Sequence, residues 1–133
     1  MSITIIQPGL QSTVQDLGRN GYAHYGISTS GAADCLSLRI GNLLVGNPES
    51  SSGIEMTLLG GTFRFEEDAF IALCGSEFEA TLDAYPVQWQ RGFYVRTGQI
   101  LVVGPTQSGA RCYLCVRGGV DVPIYLSGRT THV

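Results

Sequence analysis

The residues best suited to chemistry gather between Thr13 and Asn47. Asp16, Arg19 and His24 fall within one short polar stretch, and Asp34 follows at the start of a helical pattern. A carboxylate can position water, and a guanidinium or a backbone N–H can hold developing negative charge. Asp16-Leu17-Gly18-Arg19-Asn20-Gly21 is turn chemistry, because Asn-Gly and Gly18 tolerate positive φ. A tight turn here would present Asp16, Arg19 and His24 from one small surface. The same spacing also fits an ordinary surface turn with an Asp–Arg pair, which contributes little energy.

Other chemistries are poorly served. His24 and His132 are far apart and no H-x-H or H-E-x-x-H occurs, so a metal site has little to build on. There is no G-x-S-x-G, although Ser28, Ser30, His24 and Asp34 are close in sequence. Cys112-Tyr-Leu-Cys115 has C-x-x-C spacing but lies inside a strand pattern, where residues three apart point to opposite faces. The pair reads as two buried thiols, and Cys35 and Cys74 read the same way. Arg111, Tyr113, Cys115 and Arg117 share one strand face. That face suits carboxylate or phosphate recognition, a protein–protein contact, or plain solvation.

Composition narrows the classes further. Lysine is absent; all eight basic residues are Arg. The chain therefore has no Walker A lysine, no Schiff-base lysine and no attachment point for biotin or lipoate. A net charge of −3 argues against a nucleic-acid footprint. No apolar run reaches the roughly 18 residues of a membrane span, and the N-terminus lacks signal-peptide character. A cytoplasmic location with free thiols is the expectation.

The positioning elements are mostly strands. Ser28-Thr29-Ser30-Gly31 offers several N-caps for a helix over about 32–46, which carries Leu36, Ile40, Leu43 and Leu44 on one stripe. Free N–H groups at that helix start could bind an anion, though Asp34 would oppose it. Gly46-Asn47-Pro48 is a stop signal. From Ile54 the period becomes two, with Glu55 on the polar side. Thr62–Phe65 and Ala69–Cys74 read as a hairpin joined by Glu66-Glu67-Asp68. Phe70 to Leu73 is apolar on both faces, which predicts a buried central strand. About ten short strands with one helix predict a mainly β barrel or sandwich in a single domain over 1–133.

Several strings resemble one known family in order along the chain. They are Pro8–Arg19 (PGLQSTVQDLGR), Ser30-Gly31-Ala32-Ala33-Asp34, Asn42–Pro48 (NLLVGNP), Glu55-Met56-Thr57, Val116–Pro123 (VRGGVDVP) and Gly128-Arg129-Thr130-Thr131. The chain resembles the allophanate hydrolase subunit 2 family. That family includes the C component of ATP-dependent 5-oxoprolinase and the second carboxyltransferase subdomain of urea carboxylase. It also includes an antagonist of a sporulation-kinase inhibitor. The resemblance implies a cyclophilin-like β-barrel, a subunit 1-type protein partner, and a chain that is the N-terminal half of a two-half protein. It implies ATP-dependent opening of 5-oxoproline to glutamate, with ATP used together with partner subunits. The alternatives are a biotin-dependent carboxyltransferase, with biotin carried by another domain, or a non-catalytic regulatory module. Under the leading reading the catalytic candidates are Asp16, His24, Asp34 and Glu55. The substrate and anion binders are Arg19, Arg117 and Arg129.

Overall fold

A computed structural model describes residues 3–10, 12–15 and 33–120, together with the backbone of 124–126 and 129–131. The described residues are mainly β with one helix. In order, the elements are β1 (Ile3–Gln7), β2 (Ser12–Gln15), α1 (Cys35–Leu44), β3 (Gly53–Thr57), β4 (Thr62–Phe65), β5 (Ala69–Gly75) and β6 (Phe78–Leu82). β7 (Tyr85–Pro86), β8 (Gly92–Val95), β9 (Ile100–Thr106), β10 (Arg111–Val116), β11 (Ile124–Leu126) and β12 (Arg129–Thr131) follow. They form two sheets, ordered β12-β11-β1-β4-β9-β6-β7 and β2-β3-β10-β5-β8. All described pairings are antiparallel except β1 with β11.

Three layers result, and strand periodicity explains them. On β10, Cys112, Leu114 and Val116 face the first sheet and join Ile3, Phe63, Phe65, Ile71, Leu73 and Leu101 in the main core. Tyr113 and Cys115 point the other way, into a second core with Leu38, Val45, Ala72 and Cys74 beneath α1. The middle layer is thus covered on both faces. This is why β5 is apolar on both faces, as its sequence predicted.

The expected hairpin of β4 with β5 does not form. β4 pairs with β1 and β9, whereas β5 pairs with β10 and β8. Glu66–Asp68 instead carries the chain from one sheet to the other. A strand that must be buried on both faces belongs in the middle layer, and β4, half polar, belongs outside it. The Arg96–Gln99 corner makes the matching crossover. The two corners are tied together, with Thr97 N–H donating to Asp68 Oδ1 at 2.8 Å and Gly98 N–H to Phe65 O at 2.7 Å.

The helix is shorter than expected and is capped by Asp34, not by the upstream Ser/Thr run. Asp34 Oδ1 accepts the Ser37 N–H at 3.1 Å, and Oδ2 accepts the Ser37 hydroxyl at 2.5 Å. The stop signal works as read. Gly46 has φ +84, its N–H donates to Leu43 O, and Asn47 N–H donates to Asn42 O at 2.8 Å. Buried Asn42 and Asn47 then fix this end. Asn42 Nδ2 donates to Ser51 O, and Asn47 Nδ2 donates to Val116 O, both at 2.8 Å.

The helix packs through Leu38, Gly41, Asn42 and Val45. The Leu36, Ile40, Leu43, Leu44 stripe faces away from the sheets. Gly41 is what permits the close approach, since a Cβ there would lie 2.5 Å from Cys115 Sγ and 3.3 Å from Cys74 Sγ. In an exposed helix Gly→Ala gains about 1 kcal/mol, but overpacking costs roughly 1–3 kcal/mol. Gly41→Ala is therefore expected to lower stability in urea titrations. A stabilised variant would contradict this packing.

Candidate functional site

The described residues bring two sequence candidates together at the start of α1. Glu55 and Tyr113 are cross-strand partners on β3 and β10, on the face covered by the helix. Glu55 was expected on the polar side of its strand; it is instead only 8% exposed. Burying a carboxylate requires partners, and Glu55 has them. Its Oε2 accepts the Tyr113 hydroxyl at 2.6 Å and the Ala33 N–H at 2.9 Å. Tyr113 Oη in turn accepts the Asp34 N–H at 2.8 Å. Glu55 Oε1 lies 4.0 Å from Arg111 Nε, an ion pair too long for a hydrogen bond.

This arrangement decides what the helix start can do. The N–H groups of Ala33, Asp34 and Ser37 already serve Glu55, Tyr113 and Asp34. The chain supplies its own carboxylates at the helix start, in line with the expectation that Asp34 would oppose an external anion. Burial, and then the hydrogen bond to Glu55, push the Tyr113 phenol well above its ordinary range. The phenol therefore stays protonated and donates to Glu55 through the neutral range.

Sequence reasoning placed Tyr113 and Arg111 on a face suited to anion recognition, a protein–protein contact or plain solvation, and assigned neither to the site. Tyr113 is fully buried there. The available signal was Tyr113 between two thiols on a strand whose other face is also apolar. Such a strand has no solvated side.

Arg117 lies at the opposite end of α1, about 15 Å of helix away. Its Nε donates to Val45 O at 2.8 Å, and its guanidinium sits 4.6 Å from the Phe70 ring centroid. A cation at the last turn complements the helix dipole. The guanidinium also borders a pocket of about 250 Å³ with Asp68, Phe70 and Tyr94. Arg129 is on β12, an edge strand of the other sheet. Asp16, Arg19 and His24 lie outside the described residues. Two further clefts, of about 470 and 440 Å³, flank Pro86 and Val87 and include none of the sequence candidates.

The thiols follow their predicted faces. Cys112 joins the core between the sheets, and Cys115 and Cys74 lie under the helix. Cys35 differs from expectation in being only half-buried. Among the described residues no group of three or more His, Cys, Asp or Glu is placed to hold a metal.

Comparison with known proteins gives this geometry a family. The family model of the carboxyltransferase domain, subdomain A and B, matches residues 25–133. The chain belongs to this family. The C component of the 5-oxoprolinase of Escherichia coli (strain K12) is 43% identical over 98% of the chain, which spans 42% of that relative's length. The urea amidolyase of Lachancea kluyveri is 38% identical over 96% of the chain and 7% of its own length. Among solved structures, the K. lactis urea amidolyase superposes with a TM-score of 0.85 at 38% identity, over 97% of the chain and 8% of the larger protein. The carboxyltransferase-domain chain thus spans under half the length of these relatives. Its β-rich architecture, with one helix among the described residues, is that of the carboxyltransferase domains of urea carboxylases. Among the described residues no helix is long and apolar enough to cross a membrane.

Proposed function

We propose that this chain serves as a C-type component of a 5-oxoprolinase, acting with a subunit 1-type partner in ATP-dependent opening of 5-oxoproline to glutamate. The supporting observation is coverage. The chain aligns over nearly its whole length with the 5-oxoprolinase C components of E. coli and of Haemophilus influenzae, at 43% and 41% identity. It makes up a far larger share of those proteins than of the urea amidolyases.

An unactivated lactam resists water. Opening it calls for donors that hold the oxyanion and a carboxylate that directs water. In this reading Glu55 and Tyr113 are positioning residues. They fix Ala33 and Asp34, and so the end of the segment that carries Asp16, Arg19 and His24. Those three remain the proposed catalytic and anion-binding groups. Arg117 and Arg129 are the proposed remote anion contacts. The start of α1 is a poor site for ATP, because the N–H groups of Ala33, Asp34 and Ser37 are already occupied internally and the Asp34 carboxylate caps it. Nucleotide binding is assigned to partner subunits.

The second reading, transfer of a carboxyl group from biotin, is favoured by the match to the carboxyltransferase family and by the K. lactis superposition. With no Lys, the chain would receive biotin from another domain.

The test reconstitutes 5-oxoproline turnover with the partner subunits of the E. coli enzyme. The chain is used in place of the E. coli C component, and then beside it. Glutamate release in the first case, or concentration-dependent inhibition in the second, is the expected result. Neither effect would overturn the reading. Carboxyl transfer from a biotin carrier would replace it with the second.

A further inference from the structure

The helix α1 covers Ala72 and Cys74 of β5 and stops at Val45. Beyond its end, Arg117, Phe70 and Tyr94 form a row across three strands. The Arg117 N–H donates to Phe70 O at 2.8 Å, and Phe70 is the cross-strand partner of Tyr94. The guanidinium carbon of Arg117 lies 4.6 Å from the Phe70 ring centroid. The Tyr94 ring lies 4.6 Å from Phe70 on the same row, tilted by 54°. Asp68 and Ala69 complete the lining of a pocket of about 250 Å³.

The polar and aromatic parts are held in advance. Arg117 Nε donates to Val45 O at 2.8 Å. Its two terminal amino groups have no hydrogen bond among the described residues. A guanidinium fixed in this way loses little freedom on gripping a carboxylate with two parallel hydrogen bonds. The Phe70 ring is closely fitted as well, since a Cβ on Gly92 would lie 2.5 Å from Phe70 Cζ.

We propose that this pocket binds a compact, flat-ringed monocarboxylate, with its carboxylate on the terminal amino groups of Arg117 and its ring against Phe70 and Tyr94. The size sets the upper limit, because drug-sized ligands occupy pockets of roughly 300–1,000 Å³. The aromatic walls favour a ring, which gains from stacked and edge-to-face contacts that an aliphatic acid lacks. Asp68 sets the charge. It accepts the Thr97 N–H at 2.8 Å and the Thr97 hydroxyl at 3.0 Å, and these bonds hold its carboxyl below the usual range. Asp68 is therefore ionised at neutral pH and opposes a second negative charge on the ligand. A dianion, inorganic phosphate included, is the poorer occupant. None of this requires lactam opening, so the pocket stands or falls separately from that reading.

Amide NMR of the isotope-labelled chain, titrated with benzoate, tests this. Saturable shifts are expected at Phe70, Tyr94 and Gly118, with a Kd on the order of 1 mM. Acetate lacks the ring, phenol lacks the charge and terephthalate adds a second one. Each should bind about tenfold or more weakly. Arg117→Gln should weaken benzoate by about tenfold or more, whereas Arg64→Gln, an exposed arginine on the other sheet, should not. Should Arg117→Gln loosen the end of α1, Tyr94→Ala reads the same site, since Tyr94 is 73% exposed and dispensable to the core. It should weaken benzoate about fivefold and leave acetate unchanged. No saturable shift at these amides overturns the proposal. So does benzoate binding that neither variant weakens, or acetate, phenol or terephthalate binding as tightly as benzoate.

Discussion

Glu55→Ala is expected to destabilise the fold by roughly 2–4 kcal/mol, because it leaves two donors without their acceptor, a buried hydroxyl at about 1–3 kcal/mol and a part-buried N–H at about 1 kcal/mol. Those donors are the Tyr113 hydroxyl and the Ala33 N–H. Against a typical stability of about 5–15 kcal/mol this is a large fraction. Tyr113→Phe removes the other half of the network. It leaves the Asp34 N–H without its acceptor and Glu55 with one donor fewer. The two losses overlap, so the double variant should cost less than their sum. Glu55→Gln keeps one acceptor oxygen and should recover part of the stability. Urea titrations of the three single variants and the double variant measure the coupling directly. Additive losses, or a Glu55→Ala chain as stable as the parent, would mean that the carboxylate does not hold the start of α1. In the reconstituted turnover assay, Glu55→Gln should act through positioning and keep most of its rate if the fold is retained. Complete loss of turnover in a fully folded Glu55→Gln chain would instead make Glu55 a reacting group.

Alkaline pH should unfold the chain well before any backbone damage. Burial pushes the Cys74 thiol up to about 11 and the Cys115 thiol up to about 12, with the Cys74 charge opposing Cys115 as well. Cys112 is raised further, again mainly by burial. In the unfolded chain the same thiols ionise at about 8.5. Each folded-state value is raised, so the stability is fully present below the unfolded value and is lost as pH climbs toward the folded one. The loss is about 1.4 kcal/mol per pH unit for each thiol. Over the two units from about pH 9 to about pH 11, Cys74 and Cys115 alone remove roughly 5 kcal/mol. No Lys loses its charge in this window and Arg stays protonated, while Tyr113, which ionises at about 10 when unfolded and well above that when folded, adds to the loss over the last pH unit. Stability measured by urea titration at stepped pH should fall steeply over this range. Cys74→Ala with Cys115→Ala should flatten the slope, whatever it does to the absolute value. A parent chain with constant stability through this window would show that the buried thiols do not govern its alkaline limit.

The sequence carried its local information well. Alternation in Ile54–Thr57, Phe78–Leu82 and Arg111–Val116 predicted strands that form. Gly46-Asn47-Pro48 predicted the end of α1, and the odd spacing of Cys112 and Cys115 predicted their opposite faces. These features depend on neighbouring residues, on turn geometry and on the pleat, all of which are written in a few consecutive positions. Asp34 and Glu55 were also legible as candidates by residue type. Their partners were not, because Tyr113 is dozens of residues away from both.

What tertiary structure alone decided was the partner of each face. Periodicity shows that α1 has an apolar stripe, but not that the sheet takes Leu38, Gly41, Asn42 and Val45 and leaves that stripe outside. The small residue Gly41 and the hydrogen-bonding pair Asn42 and Asn47 allow closer contact with Cys115 and β10 than the bulkier leucines would. Likewise, apolar runs at Phe63–Phe65 and Phe70–Leu73 predict two strands, but not that a corner separates them into different sheets. Glu55 is the sharpest case. On its own strand it alternates as a polar residue should, and only the arrival of α1 and Tyr113 from elsewhere in the chain makes burial of its charge tolerable. A sequence determines which faces exist; which faces meet is fixed by contacts between residues far apart in the chain, and those become definite only once the whole core closes.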